Sequence, residues 1–410
     1  MKIGIVTTWF DRGAAYVSKQ YADALKDGHE IFIYARGGEY YAKGNEEWEN
    51  NYNVTWAKKS IIPVNMAIDK NDFLAWLKSN HIEIVFFNEQ QWWIPILWCL
   101  EQGVIIGSYI DYYTEATLPL FNVFDFLICN TKRHSQLFSW HSQCFYIPWG
   151  TDLKLFSFSN NKSIKNDEVV FFHSAGMSPY RKGTDLVLEA FKRVKGSAKL
   201  VIHSQVDISK SMPDMKNIVD EMLCSKRLQI YEKTVSAPGM YYMGDIYVYP
   251  SRLDGIGLTI AEALASGLPV ITSNSPPMNE FIDEHNGRLV EISKYWARAD
   301  GYYWPQCQVS IDSLVCEMQY YVDHRDAIHE YRYHARQYAE KYLNWAINSQ
   351  SLPYVFNHIK KLPLNKKTIA IEKLRIYEQS KVDFKLRIVV AFPWIFEFLG
   401  LIKKVMKRCH

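Results

Sequence analysis

The sequence predicts an α/β chain of two domains, each built on a parallel sheet with helices on both faces. Three observations predict it. Near-continuous apolar runs alternate with amphipathic segments from the first residues onward, as in strands buried between helices. That rhythm breaks at residues 146–156, YIPWGTDLKLF, and then restarts. Finally, residues 249–271, YPSRLDGIGLTIAEALASGLPVI, read as strand, glycine loop, helix and strand. At 410 residues the chain is long enough for two cores, and 48% hydrophobic with 22% charged residues suits a globular protein.

Residues 1–155 form the first domain. Its strands are KIGIVTTW, HEIFIYA, IEIVFF, VIIGSY, DFLICN and CFYIP. The amphipathic segment YVSKQYADALKDG is a helix with Gly28 as its C-cap. Ligands of such sheets bind at the carboxyl ends of the strands, and two ends stand out. After the first strand comes TWFDRGAA, where Gly13 lets the chain turn close to a ligand or simply into the helix. After VIIGSYI comes Asp111, which either accepts a hydrogen bond from a ligand hydroxyl or caps a turn.

Pro148 and Gly150 break the pattern, and the polar SFSNNKSIKNDE follows, so the boundary falls there. Residues 156–343 form the second domain. EVVFFHSAG is a strand ending at Gly176, MSPYRKGTD a loop and DLVLEAFKRVKG a helix. AKLVIHS and RLQIYEKT are further strands, the second containing Ile230, and an amphipathic segment runs on to Met243. The loop carries Arg181 and Lys182 beside a helix start; on the open surface such a pair is a solvated face. Ser310 starts a helix with Ile311, Leu314, Val315 and Met318 on its core side.

Residues 249–271 hold the chemistry. Gly255 and Gly257 flank Ile256, and a helix starting near Leu258 and Thr259 carries Ile260, Ala263 and Leu264 on its apolar face. Unpaired N–H groups at a helix start attract phosphate. Asp254 before the glycines and Glu262 in the helix can accept hydrogen bonds from sugar hydroxyls. Alone, Gly-x-Gly after a strand is common, and a carboxylate early in a helix also complements its dipole.

The whole string is more specific. It resembles the Glu-x7-Glu signature of retaining, nucleotide-sugar-dependent glycosyltransferases of family 4, the glycosyl transferases group 1. Asp254 and Glu262 have the eight-residue spacing, with Asp in place of the usual first Glu. The resemblance implies the GT-B fold: two Rossmann-like domains facing an interdomain cleft, the acceptor held by the first and the donor by the second. It implies that Lys182 and Arg181 hold the donor diphosphate, and that the backbone near Ile230 reads the base. Asp254 would bind the donor sugar and Glu262 the ribose. Gly13, Gly176, Gly255, Ile256, Gly257, Leu258 and Thr259 would line the donor, and Asp111 would stand near the transferred sugar. The family's other cation normally follows the strand-end glycine, where this chain has Met177. A return helix at about residues 344–362, marked by Trp345, would cross back to the first domain.

No cofactor is implied beyond the donor, a UDP- or GDP-sugar, and no Asp-x-Asp string suggests a metal. The acceptor would be a glycan or lipid-linked oligosaccharide in surface polysaccharide or lipopolysaccharide synthesis. A GT-B epimerase or phosphorylase, and a catalytically inactive binding partner, are the alternatives. A net charge of +3 gives no general pull toward nucleic acid. Seven scattered cysteines without a C-x-x-C pair, and a first strand without a leader, lead us to expect a cytoplasmic protein.

Residues 363–410 form a basic amphipathic tail. From residue 360 to the end there are thirteen Lys/Arg against four Asp/Glu, a charge of +9, so the remainder of the +3 chain is −6. The run RIVVAFPWIFEFLGLIKKVMKRC is interrupted by Pro393 and Glu397 and is too short to span a bilayer. Two readings stay open: an anchor on the anionic inner face of the cell membrane, or a helix docked on the protein itself or on a second copy.

Overall fold

The computed structural model describes residues 1–37, 39, 41–62, 64–157 and 168–381. They divide into two compact units. Unit 1 comprises Met1–Cys129, Phe138–Phe145 and the chain from Gln350 on; unit 2 comprises Asn130–Leu137 and Tyr146–Ser349.

Unit 1 carries seven strands: β1 (Lys2–Thr7), β2 (Glu30–Ala35), β3 (Asn53–Trp56), β4 (Ile84–Phe87), β5 (Ile105–Tyr109), β6 (Phe126–Cys129) and β7 (Cys144–Tyr146). Their order is β3-β2-β1-β4-β5-β6-β7, and β1 pairs in parallel with both β2 and β4. Ile3, Ile5, Ile33, Ile84, Ile106 and Phe126 are fully buried, which is why these strands read as unbroken apolar runs. β3 escaped the sequence reading because NVTW lies at the sheet edge and is only partly buried. The first helix, Gly13–Leu25, ends three residues before Gly28; Lys26 caps it, and Gly28 instead lies against Pro353.

Unit 2 repeats the plan with β8 (Val169–Gly176), β9 (Ala198–Ser204), β10 (Leu228–Glu232), β11 (Ile246–Tyr249), β12 (Val270–Ser273) and β13 (Gly287–Val290). The order is β10-β9-β8-β11-β12-β13, and β8 pairs in parallel with β9 and β11. Both sheets reverse strand order once, between β1 and β4 and between β8 and β11. Loops from the two sides diverge at such a point and open a crevice over the strand ends. In unit 2, Phe171, Val187, Phe191, Leu200, Val248 and Ile271 fill the core beneath it. The amphipathic segment expected before Met243 is not a helix: turns lead to a single 3-10 turn at Tyr241–Met243. An antiparallel pair, Ile292–Trp296 with Gln306–Val309, follows β13.

Beyond Gln350 the chain belongs to unit 1, where the helices Leu352–His358 and Leu364–Ser380 complete it. The second of these decides part of the tail's reading in favour of docking on the protein itself. Its inner side holds Lys367, whose Nζ lies 2.6 Å from Asp125 Oδ1, and Glu378, which accepts the Trp93 N–H at 3.1 Å. Residues 382–410, which carry the apolar run of the expected anchor, lie outside the described residues. Among the described residues no helix is long and apolar enough to cross a membrane.

Candidate active site

The site in unit 2 grows from the ends of β8 and β11. Gly176 closes β8 in the left-handed region (φ +56°), where its carbonyl accepts the Gln205 N–H at 2.9 Å. The expected loop after it contains a one-turn helix, Pro179–Lys182, which ends at Gly183 and meets the helix Thr184–Arg193. Gly183 is required there twice over. Its φ is +77°, and a Cβ would stand 2.3 Å from the carbonyl oxygen of Pro250. This close approach brings Lys182 onto the loop that follows β11.

Lys182 Nζ lies 2.7 Å from Asp254 Oδ2. Tyr249, the last residue of β11, places its hydroxyl between them, donating to Asp254 Oδ2 and accepting from Lys182. The ammonium also sits over the Tyr249 ring, 4.7 Å from its centre. Burial first, then the neighbouring Arg181, depresses Lys182 to about 8 against the opposing pull of Asp254. Burial would raise the Asp254 carboxyl, but Lys182 and Arg181 hold it well below the ordinary carboxylate range. The pair is therefore ionised at neutral pH.

Arg181 does a different job from Lys182. Its guanidinium donates to the Leu253 carbonyl at 2.9 Å and stands 3.9 Å from Asp254 Oδ2. Its own carbonyl accepts the Arg252 N–H at 2.9 Å, so it braces the loop as well as adding charge. Arg252, overlooked in the sequence although it sits inside the string, is buried and grips Asp185 with two bonds of 2.8 and 2.6 Å. Its guanidinium stacks 3.9 Å from the Tyr180 ring centre. This ion pair ties the Arg181–Lys182 turn to the Asp254 loop.

Past Asp254, whose Oδ1 accepts the Gly255 N–H at 3.0 Å, Ile256 is buried and Gly257 takes φ +90° to open the helix Leu258–Ala265. The N–H groups of Leu258 and Thr259 begin that helix and are suited to phosphate. In its second turn Glu262 accepts the Tyr241 hydroxyl at 2.6 Å, and burial raises its carboxyl. Arg133, from the Asn130–Leu137 segment, adds a contact with no signal in the sequence. It donates to the Asp254 carbonyl at 3.0 Å and to the Pro276 carbonyl at 2.6 Å. Ile230 lies mid-strand in β10, at the sheet edge and separated from β8 by β9. Met177 follows Gly176 with 75% of its surface exposed.

Gly13 and Asp111 belong to unit 1. Gly13 is the first residue of its helix and has no left-handed φ. Asp111 lies just past β5 in a polar cluster at the strand ends. Burial first, then the charge of Glu89, pushes its carboxyl up to about 7. Glu89, past β4 at φ +54°, pairs with Arg12 at 3.0 Å. Arg36, past β2 and only 1% exposed, donates from Nη1 to the carbonyls of Asn88 and Glu89. Its Nε and Nη2 have no partner among the described residues.

Residues 168–300 match the family model described as glycosyl transferases group 1, and this stretch contains every unit 2 residue of the site except Arg133. Among curated relatives, this chain is 26% identical over 118 residues to the O-antigen biosynthesis glycosyltransferase WclY of Escherichia coli, covering 29% of this chain and 32% of that protein. It is 29% identical over 159 residues to the UDP-Gal:alpha-D-GlcNAc-diphosphoundecaprenol alpha-1,3-galactosyltransferase of Escherichia coli, covering 36% and 41%. The matches thus span about a third to two fifths of the relatives' length. Solved structures cover far more. HepE of Anabaena, in complex with UDP and glucose, aligns at a TM-score of 0.68 and 14% identity, over 87% of this chain and 99% of that one. WaaG, a glycosyltransferase involved in lipopolysaccharide biosynthesis, aligns at 0.61 and 14%, with the same coverage. The shared fold is GT-B, with two Rossmann-like domains.

Proposed function

We propose that the protein is a retaining glycosyltransferase that uses a UDP-sugar, or failing that a GDP-sugar, and needs neither a cofactor nor a metal. One observation carries the reading. At the β8/β11 switch point a lysine bonded to a carboxylate lies beside a phosphate-suited helix start, and a second buried carboxylate follows in that helix. That array meets the demands of a nucleotide-diphosphate sugar. Lys182 and Arg181, with the amides after Gly257, would take the diphosphate and stabilise the charge that builds as it departs. Asp254 would bind donor-sugar hydroxyls and Glu262 the ribose, each carboxylate accepting from hydroxyl groups. The bond from the anomeric carbon to the phosphate oxygen breaks, and the acceptor oxygen bonds to that carbon from the same face. The acceptor's proton passes to the leaving phosphate oxygen, so no protein nucleophile is required.

The donor choice is supported by HepE, whose structure holds UDP and glucose. A glycan or lipid-linked acceptor in O-antigen or lipopolysaccharide synthesis is supported by WclY and the diphosphoundecaprenol galactosyltransferase. Such an acceptor places the work at the inner face of the cell membrane. The test is a panel of UDP-, GDP-, ADP-, CMP- and dTDP-sugars, scored by thermal shift and by release of free nucleotide. We expect one UDP-sugar to stabilise the fold and to be hydrolysed slowly. No shift and no release from any member of the panel would favour an inactive binding partner, with Met177 in the place of the missing cation.

A further inference from the structure

The segment Asn130–Leu137 lies in sequence between β6 and β7 of unit 1, yet it packs as part of unit 2. Two groups hold it there. The Glu280 carboxylate accepts the N–H groups of Lys132 and Arg133 at 2.7 and 3.0 Å. The Arg133 side chain, 5% exposed, then reaches three separate stretches of unit 2. Nη1 donates to the Pro276 carbonyl at 2.6 Å and Nη2 to the Asp254 carbonyl at 3.0 Å. The guanidinium also stands 4.9 Å from the centre of the Trp304 ring. Its planar fork thus joins two carbonyls on different loops, which a single ammonium could not do.

The main chain of the Asp254 loop is anchored as far as that residue and not beyond it. The Arg252 N–H donates to the Arg181 carbonyl, and the Leu253 carbonyl accepts from the Arg181 guanidinium, both at 2.9 Å. The Arg252 carbonyl accepts the Cys307 N–H, also at 2.9 Å. Next comes the Asp254 carbonyl on Arg133. Then follows Gly255, where an added Cβ would meet nothing within 4 Å, and two residues later Gly257. Glycines restrain a backbone least. Among the described residues Arg133 is therefore the last hydrogen-bond anchor before the chain turns into the helix Leu258–Ala265.

We propose that Arg133 is a positioning residue for the transfer reaction: by fixing the main chain at Asp254, it sets where that carboxylate meets the donor sugar. The proposal rests on the reading of the protein as a glycosyltransferase. Lys182 and Tyr249 hold Asp254 by its carboxylate, and Arg133 holds it by its carbonyl. With both ends held, the carboxylate has one place to stand. With the carbonyl released, the glycines let the residue drift, and the carboxylate leaves register with the sugar. Lys182, Arg181 and the helix amides would still take the diphosphate. The loss therefore falls on turnover rather than on donor binding.

The test compares the full chain with Arg133→Met, which keeps an apolar stem and removes both donors. With the sugar nucleotide that the wild type hydrolyses, kcat should fall about tenfold to a hundredfold while donor KM stays nearly unchanged. Arg133→Lys, able to reach one carbonyl but not both, should recover part of that loss. A mere brace would lower the melting temperature and leave kcat at its wild-type value below the transition. That outcome overturns the proposal, as does a raised KM with kcat preserved, which would put Arg133 in donor binding instead. Hydrogen exchange reads the loop without any substrate. In both variants the amides of residues 255–259 should exchange faster, while those of β8 and β12 hold; unchanged exchange at 255–259 overturns the proposal. Should Arg133→Met not fold, Arg133→Lys alone must show the lowered kcat and the faster exchange. A wild type that hydrolyses no sugar nucleotide would count against the transferase reading, and exchange would still decide whether Arg133 pins the loop.

Discussion

The polar cluster of unit 2 and that of unit 1 occupy equivalent places in their sheets, at the carboxyl ends beside the strand-order reversal, yet they are finished differently. In unit 2 the charges are mutually satisfied: Lys182 with Asp254, Arg252 with Asp185, Glu262 with Tyr241. In unit 1, Arg36 is as buried as Arg252 but uses one nitrogen on backbone carbonyls and leaves two nitrogens, Nε and Nη2, unpartnered among the described residues, where Arg252 leaves Nε alone. An array whose charges are paired holds its groups in fixed positions. A cluster with spare donors and a carboxyl near neutrality is chemically adaptable.

Four measurements can break or sharpen that contrast. Arg252→Ala should have the largest effect. Removing one partner of a buried bidentate pair leaves Asp185 uncompensated and should cost about 3–5 kcal/mol in urea or thermal unfolding. A loss below 1 kcal/mol would show that the unit 2 array does not depend on its brace. Next, Lys182→Ala should lower kcat/KM for nucleotide release by about 10²–10³-fold, beyond whatever stability it loses by leaving Asp254 unpaired. An unchanged rate would remove Lys182 from the chemistry.

The pH dependence comes third. Lys182 is depressed to about 8, so its positive charge is present below that pH and lost above it. Donor KM should be flat from pH 6 to 7.5 and then rise, approaching tenfold per unit above the transition. Lys182→Arg should move the rise to higher pH. The smallest expected effect belongs to unit 1. Asp111 titrates near 7 in the folded protein, above its value of 3.8 in the unfolded chain, so ionising it costs stability as pH rises through that window. Asp111→Asn should therefore gain in melting temperature over the wild type between about pH 4 and 7 and level off above. A constant difference across that range would mean the carboxyl is not titrating there.

The sequence by itself determined the two parallel sheets, because strands buried on both faces must be written as continuous apolar runs. It also determined the heart of the unit 2 site, because Asp254, the glycines and Glu262 lie on one local strand, loop and helix whose spacing is fixed by helix geometry. Tertiary structure decided what depends on contacts far apart in the chain. Lys182 meets Asp254 across 72 residues and Arg252 grips Asp185 across 67, through an approach that only Gly183 permits. Arg36 and Glu89, 53 residues apart, form no string at all, so the unit 1 cluster was visible only as Asp111. The C-terminal helix shows the limit most clearly. Its composition announces a basic, partly apolar segment, but which side faces inward depends on Asp125 and the Trp93 N–H. Those partners bury a lysine and a glutamate and turn two isoleucines outward.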